Sequence, residues 1–104
     1  MQDELRIRTV LFREGDWWVA QCLDVDIAAQ AKTENDLEYE LGRILVGHVM
    51  ASETLGVKPF ANLPPAPRRY WDMFFGAASK STTMIPFLPV TVSHALPKVE
   101  MRAA

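Results

Sequence analysis

The chain has only one cysteine, Cys22, among its 104 residues, so no disulfide can form within it. A lone thiol gives no sign of an oxidising compartment. The sequence starts with acidic residues at Asp3 and Glu4 and lacks the basic stretch and apolar run of a signal peptide. No run reaches the roughly 18 apolar residues that a membrane span needs. The sequence therefore predicts a cytoplasmic protein that does not enter a membrane.

An excess of positive charge is missing too. The chain has 11 lysines and arginines against 13 aspartates and glutamates, which gives a formal net charge of -2. Binding to phosphate backbones draws on a surplus of basic side chains, and no basic recognition helix is visible in the sequence. We therefore expect no direct contact with nucleic acid.

The familiar motifs of catalysis and metal binding are absent from the sequence. It has no phosphate-cradling glycine loop, no paired-cysteine metal site, no nucleophile elbow and no His-Glu-x-x-His. Cys22 lies in an apolar run without a basic neighbour, which favours a small core residue over a nucleophile. His48 is interpreted as a hydrogen-bonded core or edge residue, with a catalytic or metal-binding role as the alternative. We expect no catalytic residue, no metal and no cofactor.

A nuclease needs a separate test, because metal-dependent nucleases use three or four carboxylates that converge on divalent ions. The candidates here are Asp24, Asp26 and Asp36. Asp24 and Asp26 fall in a predicted turn, where aspartate is favoured for local hydrogen bonding, and Asp36 falls in the first turn of a predicted helix. Each carboxylate has a structural explanation, so the sequence argues against nuclease activity.

The residues that are present predict a single α+β domain over residues 1–104, since a chain of this length buries one core. Apolar and polar residues alternate over residues 5–13 and 17–23, which predicts two strands with a tight reversal at Gly15. A third short strand is expected over residues 27–31. The three strands form an antiparallel meander whose apolar face needs a cover.

A long amphipathic helix is expected to provide that cover. Thr33 is a good N-cap, and Asp36 adds negative charge to the first helical turn. Gly56 stands where a left-handed C-cap is expected, so the core of the domain is predicted over residues 5–57. The stripe expected to face the sheet consists of Leu37, Leu41, Ile44, Leu45, His48, Ser52 and Leu55.

This order of elements, with an aromatic-flanked hairpin strand that contains Trp17 and Trp18 before a helix initiated by Thr33, resembles the N-terminal domain of the HicB family of antitoxin-like proteins. The resemblance implies a partial ribonuclease H-like topology and a binding role. In that family the domain binds a small basic toxin, HicA, which cleaves RNA, and a separate C-terminal segment binds operator DNA. The match is by residue class at several positions, because Ala31, Lys32, Asp36 and Leu37 stand where the family usually has glycine, a polar residue and a Glu-Ala pair.

The second half begins with a proline-rich linker over residues 58–67 and continues with a short aromatic helix over residues 67–76, opened by Pro67 and closed by Gly76. The aromatic side chains of this helix either pack on the domain's own core or form a surface through which copies of the chain associate. Since HicB-like domains commonly pair, we expect a homo-oligomer. The candidate interface residues are Tyr70, Trp71, Phe74 and Phe75.

The C-terminal extension covers residues 77–104. We expect an exposed, mobile loop over residues 77–83, a short strand over residues 90–93 and a final edge strand over residues 98–103. No other candidate catalytic or metal-binding residue accompanies His94 in its segment, so no role is predicted for His94.

The sequence therefore predicts a non-catalytic, stand-alone HicB-like interaction module without the DNA-binding segment, with a small basic toxin-like protein as its partner. The alternative is a small-molecule or regulatory binding protein on the same scaffold, and a purely structural or oligomeric role comes third. A short basic reading frame beside the gene would favour the first function, whereas a metabolic operon would favour the second.

Overall fold

An antiparallel hairpin forms the centre of the fold. The computed structural model describes residues 6–77, 82–84 and 97–104. β1 (Arg6–Glu14) pairs with β2 (Trp17–Cys22), and β3 (Ala28–Ala31) pairs antiparallel with the other side of β2. Gly15 has a φ of 62° in the hairpin turn, a left-handed conformation that glycine adopts without strain. The predicted reversal at this glycine is confirmed.

The C-terminal strand joins the sheet beside β1. β5 (Lys98–Ala103) runs parallel to β1, and β4 (Thr82–Met84) pairs antiparallel with β5, so the strand order is β3-β2-β1-β5-β4. The prediction of an edge strand over residues 98–103 is wrong, because β5 has a strand neighbour on each side. Alternating apolar residues show which face of a sheet a side chain occupies, but they do not identify the neighbouring strands.

The predicted loop over residues 77–83 is also wrong at its end, since Thr82 and Thr83 belong to β4. Threonine is β-branched and suits an extended backbone, so local composition is compatible with either state. The predicted strand over residues 90–93 and His94 lie outside the described residues.

One long helix covers one face of the sheet. α1 (Glu34–Leu55) begins at Thr33, whose side-chain oxygen accepts a hydrogen bond of 3.1 Å from the backbone N–H of Asp36. It ends at Gly56, which has the left-handed φ of 70° expected of a C-cap. Both predicted caps are confirmed, as are the α+β class and the β-β-β-α order.

The predicted stripe of α1 is correct in its first turns and wrong at its end. Leu37, Leu41 and Leu45 are buried, whereas Leu55 is 74% exposed and Val49 takes a buried place that the stripe omitted. Each step of four residues turns about 40° beyond a full rotation. The row of buried residues at four-residue spacing therefore drifts around the helix and reaches Val49. Leu55 has the same angular position as Leu37 and is exposed because it is the last residue of α1.

The second helix covers the opposite face. α2 (Arg68–Gly76) packs against β1, where Phe74 closes a small cluster with Val10, Leu23 and Ala66. Pro67 is the N-cap of this helix and not its first helical residue. Gly76 is the last helical residue, and Ala77 is the C-cap. Neither helix in the described part of the chain has the length and apolarity to cross a membrane.

Candidate functional site

The predicted oligomer interface on α2 divides into a covered part and an exposed part. Phe74 is only 1% exposed and lies in the cluster against β1, and Tyr70 and Trp71 are half-buried at its rim. Phe75 is 62% exposed and makes an edge contact with the Phe74 ring, with centroids 5.4 Å apart. The protein's own sheet therefore accounts for most of this aromatic area. The predicted association through α2 stays a prediction, and it now depends on Phe75.

Arginines cap the aromatic rings on this face of the sheet. The Arg8 guanidinium lies 4.5 Å from the centre of the Trp71 ring, a distance at which cation and ring attract each other. The Trp71 indole N–H also donates a 3.2 Å hydrogen bond to the carbonyl oxygen of Ala66. Such stacking orients α2 on the sheet through directed contacts. The other arginine and ring pairs here are Arg69 with Tyr70 and Arg102 with Phe74.

Two of the three candidate nuclease carboxylates are held by hydrogen bonds within the protein. Asp24 accepts a 2.7 Å hydrogen bond from the backbone N–H of Arg8 and one of 2.8 Å from its guanidinium. The hydrogen bond to Asp24 raises the pKa of the Arg8 guanidinium above its usual value. Asp26 accepts a 2.9 Å bond from the side-chain amide of Gln21, and Asp36 lies on α1. Asp26 has a local partner as predicted, whereas the partner of Asp24 is Arg8, 16 residues away, and not a neighbour in the turn.

The described residues contain no group of three or more histidine, cysteine or acidic side chains placed to hold a metal ion. His48 is half-buried beside Phe60, with 5.7 Å between the two ring centres. Cys22 is buried, and its sulfur accepts a 3.4 Å hydrogen bond from the Thr9 hydroxyl. Burial raises the pKa of the Cys22 thiol to about 11, so the reactive thiolate is disfavoured at neutral pH.

A different surface lies at the start of α1. The side chains of Glu34, Asp36, Glu38 and Tyr39 are all exposed, and we call them the acidic α1 surface. Tyr39 is 71% exposed, so most of its ring is accessible to another molecule. Three exposed carboxylates and an exposed aromatic ring in the first turns of one helix can bind a basic surface through both charge and contact area.

The acidic α1 surface was visible in the sequence, but its signal was assigned to another cause. Helix capping accounts for Asp36, and Glu38 fits the ordinary polar side of an amphipathic helix. The next carboxylate, Glu40, forms a 2.8 Å ion pair with Arg43 one turn later and is therefore partly neutralised. The uncompensated charge is concentrated in the first turns, where acidic side chains also favour the helix dipole.

The edge of the sheet next to α1 is formed by β3. Its pairing with β2 uses one side of the strand, and among the described residues no strand pairs with the other side. The proline-rich segment contacts the chain just before β3 begins. There the Asp26 backbone N–H donates a 2.7 Å hydrogen bond to the carbonyl oxygen of Pro64. The sequence predicts a third strand here, but nothing in the sequence shows that this strand lies at the edge of the sheet.

Comparisons with known proteins give no further assignment, since no protein-family model, no curated protein and no solved structure matches this chain. The resemblance to the HicB family therefore rests on the residues and the element order already described.

Proposed function

We propose that this chain is a non-catalytic, cytoplasmic interaction module of the HicB-like kind, which binds a small basic partner protein through the acidic α1 surface. The observation that carries the proposal is the exposure of Glu34, Asp36, Glu38 and Tyr39 within the first turns of α1. Complementary charge steers a partner to its site and selects against partners of the wrong sign, and an exposed ring supplies contact area at the centre.

The arrangement of the other acidic side chains supports binding over catalysis. Asp24 is engaged with Arg8, and Asp26 is engaged with Gln21. The β-β-β-α order, with Thr33 at the start of α1, supports the HicB-like assignment. A partial ribonuclease H-like topology and a HicA-like toxin as the partner belong to the same proposal. Nucleic acid would then be reached only through that partner.

The test begins with the gene neighbourhood. If a short reading frame for a basic protein lies beside the gene, its product is purified and titrated into this protein by isothermal titration calorimetry. The proposal expects a complex of defined stoichiometry whose affinity falls as salt is raised, because exposed charges are screened by ions. Lysozyme, another basic protein, serves as the control for non-specific electrostatic binding and is expected to bind far more weakly.

Charge reversal locates the surface. The double variant Glu34→Lys, Glu38→Lys should weaken the complex at least tenfold, while the matched double variant Glu14→Lys, Asp16→Lys in the hairpin turn should bind as the parent does. Both variants change the net charge equally, so a general charge effect would weaken both. Equal losses in the two variants, or a metabolic operon without a basic neighbour, would contradict the proposal; the operon would favour the small-molecule function.

A further inference from the structure

Among the described residues, the edge of β3 that β2 does not use has a defined set of backbone groups without a strand partner. In an antiparallel pair, alternate residues direct their N–H and C=O groups towards the partner strand. The Cys22 N–H donates to the Ile27 carbonyl oxygen at 2.8 Å, which places Ile27 among the residues that face β2. By alternation Ala29 and Ala31 also face β2, whereas Ala28 and Gln30 direct their backbone groups outwards.

β3 itself carries none of the features that usually prevent strands from pairing, and Lys32 follows it directly. Exposed edge strands are commonly protected by proline, by charged side chains or by a bulge. The four residues of β3 are alanines and one glutamine, so they carry no charge and little bulk. Within the described part of the chain, no proline or charged side chain of β3 would obstruct an added strand along Ala28–Ala31.

The length of the open edge is limited at both ends. Pro64 already accepts the N–H of Asp26, so an added strand cannot extend past residue 28 on that side. On the other side, Thr33 begins α1 and the chain leaves the sheet. The available window is therefore residues 28–32, and its midpoint is Gln30.

We propose that two copies of this chain pair antiparallel through β3, with a two-fold axis at Gln30. In this register the two Gln30 residues exchange both backbone hydrogen bonds, and Ala28 of each copy lies opposite Lys32 of the other. The contact is the same patch on both subunits, as a two-fold dimer requires. The two sheets join into one continuous sheet, with both copies of α1 on the same face.

Charge complementarity supports this register. Asp26 and Lys32 are both exposed and lie at opposite ends of β3. Lys32 stacks on Trp17, and Asp26 accepts from Gln21, so both lie on the sheet face that Trp17 and Gln21 share. With Lys32 opposite Ala28, the Lys32 side chain is diagonal to Asp26 of the other copy, a spacing that its ammonium bridges once it turns away from the Trp17 ring of its own copy. Symmetry produces this ion pair twice.

The inference does not depend on the proposed function, because β3 is a different surface from the acidic α1 surface. Its first test is the mass in solution, by light scattering coupled to size-exclusion chromatography at tens of micromolar. The parent chain should give twice its monomer mass of 11.7 kDa. Gln30→Pro removes an outward N–H that β2 does not use and should give a monomer, whereas Gln30→Thr keeps the N–H and should stay dimeric.

The second test uses charge and does not rely on proline. Lys32→Glu and Asp26→Lys should each weaken the homodimer, because like charges then face each other across the two-fold axis. An equimolar mixture of these two variants should restore a dimer, since every copy of Asp26 or its lysine replacement then meets the opposite charge. Far-ultraviolet circular dichroism checks that each variant is folded.

Three results would overturn the proposal. The first is a monomeric parent at these concentrations, and the second is a dimer that persists in Gln30→Pro. The third is a mixture of Lys32→Glu and Asp26→Lys that associates no better than either variant alone. A dimer that Phe75→Ala abolishes and that Gln30→Pro leaves intact would assign the interface to α2 instead.

Discussion

The two faces of the sheet are covered by helices of different chemistry. On the α1 face, aliphatic side chains of the 22-residue helix pack on alanines, valines and Ile7 of the strands. On the α2 face, a nine-residue helix places aromatic rings over a small cluster, and arginines stack on those rings. The first face is held by non-directional burial of apolar area, whereas the second combines burial with directed polar contacts.

The comparison also shows where binding surfaces remain. α1 packs mainly over β3 and β2, and α2 packs over β1, while no described strand pairs with the outer edge of β3. The first turns of α1, with their exposed carboxylates, follow β3 directly in the chain. Both proposed interaction surfaces therefore lie at the β3 end of the molecule, away from the aromatic helix that the sequence pointed to.

The largest effect is expected on the α1 face. Leu41 is fully buried between α1 and the sheet, so Leu41→Ala should lower the free energy of unfolding by about 4 kcal/mol, in the upper part of the range for buried leucine. Leu55→Ala, on the same helix but exposed, should change it by less than about 0.5 kcal/mol. Urea titration of both variants measures the difference. Equal costs would show that α1 is seated differently on the sheet.

A smaller loss is expected on the α2 face. Phe74→Ala should cost about 3 kcal/mol, at the lower end for a buried phenylalanine, because the half-buried rings of Tyr70 and Trp71 can move into the space. Phe75→Ala removes an exposed ring and should leave the unfolding free energy of the monomer nearly unchanged. If Phe74→Ala costs more than Leu41→Ala, the α2 face is the main core and the comparison is reversed.

The smallest effect concerns the polar contact that distinguishes the α2 face. Asp24→Ala removes the acceptor of the Arg8 backbone N–H and of its guanidinium, and should cost about 1 to 2 kcal/mol of unfolding free energy. Asp24→Asn keeps one carbonyl oxygen for the Arg8 amide and should cost less. Chemical denaturation compares the two variants. A loss below about 0.3 kcal/mol for Asp24→Ala would mean that apolar packing alone holds this face.

Local signals in the sequence predicted the hairpin and the long helix correctly. Gly15, Thr33 and Gly56 each impose a backbone state or a cap within a few residues, so their effect can be inferred without tertiary information. The alternation in residues 17–23 likewise assigned the strand that contains Ala20 and Cys22. These features depend on neighbours in the chain, and neighbours are what a sequence shows directly.

The features that failed depend on distant parts of the chain. β5 pairs with β1 across more than 80 residues, and its alternating pattern fits an edge strand as well as an internal one. The aromatic residues of α2 did not indicate that the helix packs on the face of the sheet opposite α1. The open edge of β3 could not be found either, because edge position is a property of strand order.

The central claim is that this protein binds a basic partner through the start of α1. The most direct test is a ¹H–¹⁵N correlation spectrum of the labelled protein, recorded while the unlabelled product of the adjacent basic reading frame is added. The account predicts that the largest shifts cluster at the amides of Glu34, Asp36, Glu38 and Tyr39, while those of α2 stay in place. A complex whose shifts cluster on α2 instead, or no change at saturating partner, would contradict it.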